Sequence, residues 1–234
     1  MASTAEREIR DAVVARLREL VPSARIVHEL NVAGQGSNRI DVAAIRPDGI
    51  VGVEIKSEKD TLKRLEEQWT VFSRCCHYVI VAAHEKHFAE YRDERWRDDV
   101  ESDSDLNHPL FFGKYGQRRY VWRYPRPDDA NKSRWGASRP WQFSFAADVV
   151  PRRPLSNVDM LQMLWASELR EECGRHRIAA NSRATCPWMI REMAMLMTGR
   201  EVRDAVCRQL RARSFAEADA PIYELTKAKS EVST

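Results

Sequence analysis

Asp41, Glu54 and Lys56 are the residues of this chain whose types and spacing suit chemistry. They stand in Arg39-Ile40-Asp41-Val42-Ala43-Ala44-Ile45 and Ile50-Val51-Gly52-Val53-Glu54-Ile55-Lys56, joined by Arg46-Pro47-Asp48-Gly49. Both flanks are short and rich in β-branched residues and the joint is a turn cluster, which reads as a β-hairpin. With the four turn residues as the loop, Ile45 pairs with Ile50 and Asp41 falls opposite Glu54. Opposed residues of an antiparallel pair share a face, about 5 Å apart. Lys56, two residues beyond Glu54, joins them there. Two opposed carboxylates repel, one lysine offsets this only in part, and a hard divalent cation such as Mg²⁺ would remove the conflict. The bland alternative is a solvated sheet face carrying a cross-strand ion pair.

Such a site needs a sheet and helices to hold it. Ala5 to Leu20 carries Ile9, Val13, Val14, Leu17 and Leu20 at helical spacing, stopped by Pro22. Arg25 to Val32 reads as a strand, Lys59 to Val71 as a helix through Leu62, Leu65 and Trp69, and Tyr78 to Ala83 as a buried strand. The order is helix, three strands, helix, strand. Farther on, Ser156 or Asn157 can cap a helix bearing Leu161, Leu164, Trp165 and Leu169. Further helices fit Trp188 to Met197, ended by Gly199, and Glu201 to Arg213. These readings divide the chain into a core over 1–110, a basic and aromatic connector over 111–154, a helical module over 155–215 and a loose tail over 216–234.

The sequence of residues from Glu29 through Arg39-Ile40-Asp41, Glu54-Ile55-Lys56-Ser57, Asp60-Thr61-Leu62 and Arg64-Leu65 to Gln68 resembles the PD-(D/E)XK nuclease superfamily. The similarity is to a small bacterial branch of it, and extends through Pro109 to Gly113 and Leu164-Trp165-Ala166-Ser167-Glu168-Leu169. Ile40-Asp41 stands where Pro-Asp is usual. The resemblance implies an α/β fold with a restriction-endonuclease-like mixed-sheet core, α-β-β-β-α-β, followed by a C-terminal helical module. It also implies hydrolysis of phosphodiester bonds in DNA with Mg²⁺, or Mn²⁺ in its place. Asp41 and Glu54 would hold the metal, with the Ile55 backbone carbonyl as a third ligand. Lys56 would orient or deprotonate the attacking water, or stabilise charge. Glu29 would complete the metal site through a water, its other reading being a partner for a nearby Arg or Lys. Glu8, on the first helix, is a weaker rival for that place. Gln68 matches the Gln of a Gln-x-x-x-Tyr motif that helps position substrate or metal, although Phe72 stands where the Tyr would be.

A metal provides the two needs of phosphodiester hydrolysis, Lewis acidity and an activated water. Lys59, Lys63 and Arg64, on the helix after the site, suit DNA phosphates, or equally a solvated face pairing with Glu66 and Glu67. Arg118, Arg119, Arg123, Arg134 and Arg139 belong to a basic block from Lys114 to Arg153 that includes only Asp128, Asp129 and Asp148 as acids. Tyr115, Tyr120, Trp122, Tyr124, Trp135 and Trp141 interleave with it. The charges favour phosphate contact. The aromatics favour inward packing over stacking on bases.

The overall balance, 38 basic against 35 acidic residues for a net +3, identifies no partner by itself. A polar start with Glu6, Arg7, Glu8 and Arg10, no long apolar run and an odd five cysteines point to a cytoplasmic protein without a membrane span or disulfide framework. His77, His84 and His87 with Cys75 and Cys76 match no common zinc spacing. Met189, Met193, Met195 and Met197 read as packing between helices. DNA is the expected partner, RNA stays open, and a homodimer fits the two active sites that cutting a duplex often needs. A catalytically silent nucleic-acid-binding module and a protein-interaction adaptor are the alternatives.

Overall fold

The computed structural model of the protein describes residues 4–32, 38–89, 120–125, 141 and 155–223. Its frame is one five-stranded mixed sheet with helices on both faces. Helix α1 (Thr4–Leu20) leads into strands β1 (Arg25–Asn31), β2 (Arg39–Arg46) and β3 (Gly49–Lys56). Helix α2 (Leu65–Cys75), strand β4 (Tyr78–His84), the short α3 (Lys86–Ala89) and strand β5 (Tyr120–Tyr124) follow. The strands lie in sequence order, antiparallel from β1 to β3 and parallel from β3 to β5. The expected order of helix, three strands, helix and strand is therefore present, and β5 adds a fifth strand from the connector.

Alternation along the strands explains why both faces are covered. Val42, Ala44, Val51, Val53, Ile55, Ile80 and Ala82 pack with Ile9, Val13 and Leu17 of α1. Each of those three α1 side chains is fully buried, worth about 1.5–3 kcal/mol apiece against exposure. Ala43, Ile45, Ile50, Val79, Val81 and Ala83 face the other way, onto α2 and the C-terminal helices. Trp122 of β5 and Trp141 stack at 5.1 Å and are both buried, so these two aromatics pack inward.

The C-terminal helices are α4 (Asn157–Leu161), α5 (Ala166–Arg175), α6 (Cys186–Leu196) and α7 (Gly199–Ala212). They share one apolar cluster with the sheet and α2. Arg25 fastens them further: its Nη1 donates to the carbonyls of Leu210, Arg211 and Arg213 at the end of α7. A helix C-terminus carries unsatisfied carbonyls and partial negative charge, and a buried guanidinium answers both.

Several expectations are corrected. The β2–β3 turn is two residues long, because Arg46 pairs with Gly49 and only Pro47 and Asp48 lie between. Helix α2 starts at Leu65, six residues later than the spacing predicts, because Asp60 Oδ2 captures the Ser57 N–H and hydroxyl at 2.7 and 2.6 Å and holds a loop there. The single helix expected through Leu169 breaks at Trp165, whose N–H donates to Glu168 in a new N-terminal cap, and Trp165 is exposed. Gly199 opens α7 rather than closing α6, and Met195 is exposed instead of packed. Residues 217–219 are not a loose tail. They bond along β1, through the His28 N–H to the Glu217 carbonyl and the Asp219 N–H to the Ile26 carbonyl. Among the described residues no helix is long and apolar enough to cross a membrane.

Candidate active site

The β2–β3 ladder has the expected register, Ile45 with Ile50, and ends at Val42 with Val53. Asp41 and Glu54 are thus next in line, but the strands part before them. The Asp41 carboxylate instead takes over the role of a ladder acceptor: its Oδ2 accepts the Ile55 N–H at 2.6 Å. This bond fixes the half-buried Asp41 beside the strand that carries Glu54 and Lys56.

Glu54 and Lys56 are almost wholly buried, at 3 % and 6 % exposure, and point toward α2. The Lys56 ammonium donates to Glu54 Oε1 at 2.7 Å and to Gln68 Oε1, from the buried face of α2, at 2.9 Å. Glu54 Oε2 is buried with no hydrogen-bond partner among the described residues. The Gln68 amide approaches Glu54 as a hydrogen-bond donor that lowers its carboxyl, but too poorly aligned to satisfy Oε2.

Burial raises the Asp41 carboxyl well above the usual carboxylate range, and the Glu54 charge adds to the shift. The Ile55 amide and Lys56 only partly offset it. Burial also raises Glu54, against the lowering effect of Lys56. One ammonium between two carboxylates leaves an uncompensated negative charge in a poorly solvated place.

Glu29 sits where β1 breaks its ladder with β2. Its backbone adopts φ 51°, a left-handed conformation uncommon outside glycine, and the pairs on either side of it are Val42 with His28 and Ile40 with Leu30. Its carboxylate accepts from Arg10 Nη2 at 2.9 Å, and the same nitrogen reaches Glu6 at 2.8 Å. The reading of Glu29 as a partner for a nearby cation is the one these contacts match. Glu8 is exposed on α1. Arg10 is the residue that sequence reasoning passed over. Its signal was legible, since Arg10, Val13, Val14 and Leu17 share a helix face.

Lys59 and Lys63 are exposed on the loop before α2 rather than on the helix, and Arg64 is its first flanking residue. Arg123 is engaged by Glu85 at 2.9 Å and lies over the Phe88 ring. Arg118, Arg119, Arg134 and Arg139 lie outside the described residues, as does the segment 90–119. His77, His84 and His87 are occupied with backbone groups, His77 accepting the Ile50 N–H and His87 facing the Ser57 carbonyl.

Among the described residues no three of His, Cys, Asp or Glu gather into a metal-holding group. The donor set on offer is Asp41, Glu54 and backbone oxygen. Mg²⁺ is commonly held by one or two carboxylates, with water and substrate phosphate filling its other positions. The unpartnered Glu54 Oε2 and the excess charge beside it fit that ion.

These elements define a mixed α/β protein whose buried carboxylate–lysine cluster lies where two central strands separate. Residues 1–100 match the family model described as Bacteriophage P4 protein cII, a span that holds α1, β1 to β4 and every residue of this cluster. The helices α4 to α7 lie beyond it. No curated protein and no solved structure matches the chain significantly.

Proposed function

We propose that the protein is a metal-dependent nuclease that hydrolyses phosphodiester bonds in DNA, with a restriction-endonuclease-like core. The observation that carries this reading is the pairing of a buried Glu54–Lys56–Gln68 cluster with Asp41, bonded to the Ile55 amide. A purely structural cluster gains nothing from a second carboxylate, whereas burying excess charge costs stability unless a ligand answers it.

Asp41 and Glu54 are the side chains that would hold Mg²⁺ or Mn²⁺. In an extended strand the N–H and C=O of one residue leave on the same side, so the Ile55 carbonyl faces the side on which its N–H meets Asp41. Bound there, the metal supplies Lewis acidity and a lowered pKa for its water. Lys56, fixed by Glu54 and Gln68, would orient or deprotonate the attacking water, or stabilise the charge of the transition state. Gln68 positions Lys56 and does not itself react.

The test is incubation of purified protein with labelled single-stranded, duplex and branched DNAs in Mg²⁺, Mn²⁺ or EDTA. Metal-dependent cutting supports the reading. Salt-sensitive binding without cutting moves the weight to a catalytically silent binding module, a reading favoured by the Arg10–Glu29 ion pair, which engages a carboxylate the metal site would otherwise use.

A further inference from the structure

Beside the cluster lies a cleft of about 380 Å³, lined by Glu29, Asn31, Arg39, Arg64 and Gln68. Gln68 belongs to both places: its Oε1 takes the Lys56 ammonium, and its side chain forms part of the cleft wall. The cleft therefore opens next to the proposed reacting centre. We propose that Arg39 and Arg64 form a clamp for a backbone phosphate of the nucleic-acid strand, adjacent to the phosphate that is cut. This rests on the nuclease reading for the identity of the neighbouring site.

The charge of the lining points to an anion. Among the described lining residues the one carboxylate is Glu29, which shares Arg10 with Glu6, and the two guanidinium groups of Arg39 and Arg64 outnumber it. Guanidinium is planar, always charged, and able to present two N–H groups to one phosphate. Arg64 is steered by Asn38, whose Oδ1 lies 3.4 Å from its Nη2 and whose Nδ2 in turn donates to Glu67 at 3.2 Å. Arg39 stands two residues before Asp41 on β2, so a phosphate it holds is near the metal-binding carboxylates.

The same lining argues against base recognition. Among the described residues it contains no aromatic ring on which a base could stack, and backbone phosphate contacts carry no sequence information. The clamp therefore fixes the register of the strand without choosing its sequence.

The experiment measures binding of labelled single-stranded and duplex oligonucleotides to the full chain by fluorescence anisotropy in EDTA, across a salt titration. Wild type is compared with Arg39→Gln, Arg64→Gln and the double variant, each checked for an unchanged melting temperature. Both arginines are exposed, so folding is expected to survive. The clamp predicts that the double variant binds at least about tenfold more weakly at low salt. It also predicts that the slope of log affinity against log salt flattens by about 0.7–0.9 for each phosphate no longer neutralised, equally for unrelated sequences. Inorganic phosphate and a mononucleotide, as competitors, should displace DNA far less well than an unlabelled strand. Wild-type affinity and slope in the double variant would overturn the clamp. A parallel cleavage assay in Mg²⁺ separates the two proposals: cutting by wild type and double variant alike rejects the clamp alone. Weakened binding in the double variant with no cutting by wild type rejects the nuclease alone.

Discussion

Gln68 holds Lys56: the amide oxygen on α2 accepts the ammonium at 2.9 Å, and both side chains are buried. The bond ties the last residue of β3 to the helix that covers it. It also means that the lysine is aimed by two groups, Gln68 and Glu54, so losing one leaves it misdirected rather than removed.

Gln68→Leu is predicted to lower kcat by about tenfold or more while moving KM little, since hydrogen bonds to charged groups are worth about 1.5–3 kcal/mol. Steady-state kinetics on the preferred DNA checks this. An unchanged kcat would mean that Gln68 serves packing alone.

Asp41→Asn is predicted to stabilise the metal-free protein by about 1–2 kcal/mol near neutral pH. The substitution removes the repulsion with Glu54, and the amide oxygen can still accept the Ile55 N–H. Chemical denaturation in EDTA gives the value. The same variant should lose the stabilisation that added Mg²⁺ gives the wild type, which a melting curve with and without the metal would record.

The raised carboxyls of Asp41 and Glu54 set a pH dependence with a definite sign. A folded-state pKa above the unfolded value means that the folded chain binds more protons. Metal-free stability therefore falls as pH rises from the ordinary carboxylate range, about 4, through the higher folded values. Asp219, where burial raises the carboxyl but Arg18 and the Ile26 amide together bring it below the ordinary range, works in the opposite direction. Its contribution is present above the ordinary Asp value and is lost as pH falls through its folded one. Melting temperatures of wild type and Asp41→Asn, compared in EDTA from mildly acidic to neutral pH, should diverge as pH rises. Parallel curves would contradict this assignment.

Arg25→Met is predicted to cost about 3 kcal/mol, because three carbonyls at the end of α7 and the Asp219 carbonyl lose their donor. Urea unfolding would measure it, and a loss well under 1 kcal/mol would show that water replaces the guanidinium there.

Much of this arrangement was legible in the residues. The hairpin register followed from a turn cluster between two β-branched runs, and the order of elements followed from helical and strand periods. Where local side chains compete with the backbone, the pattern misled. Asp60 captures Ser57 and delays α2, and Glu168 caps the Trp165 N–H and starts a new helix where one period ran on. Nothing in the local pattern marks the left-handed backbone at Glu29. Arg10 was readable from its place on an apolar helix face, but its link to Glu29 is a tertiary contact nineteen residues along the chain. Gln68 entered through the resemblance; its bond to Lys56 needed the fold.

The most direct test of the account is DNA cleavage by Lys56→Ala, Glu54→Gln and Asp41→Asn beside the wild type, on the same substrates with Mg²⁺ and with EDTA. The account predicts cutting by the wild type in Mg²⁺ alone, and loss of cutting in all three folded variants with DNA binding retained. Wild-type rates in the Lys56→Ala and Asp41→Asn proteins, or cutting that persists in EDTA, would contradict it.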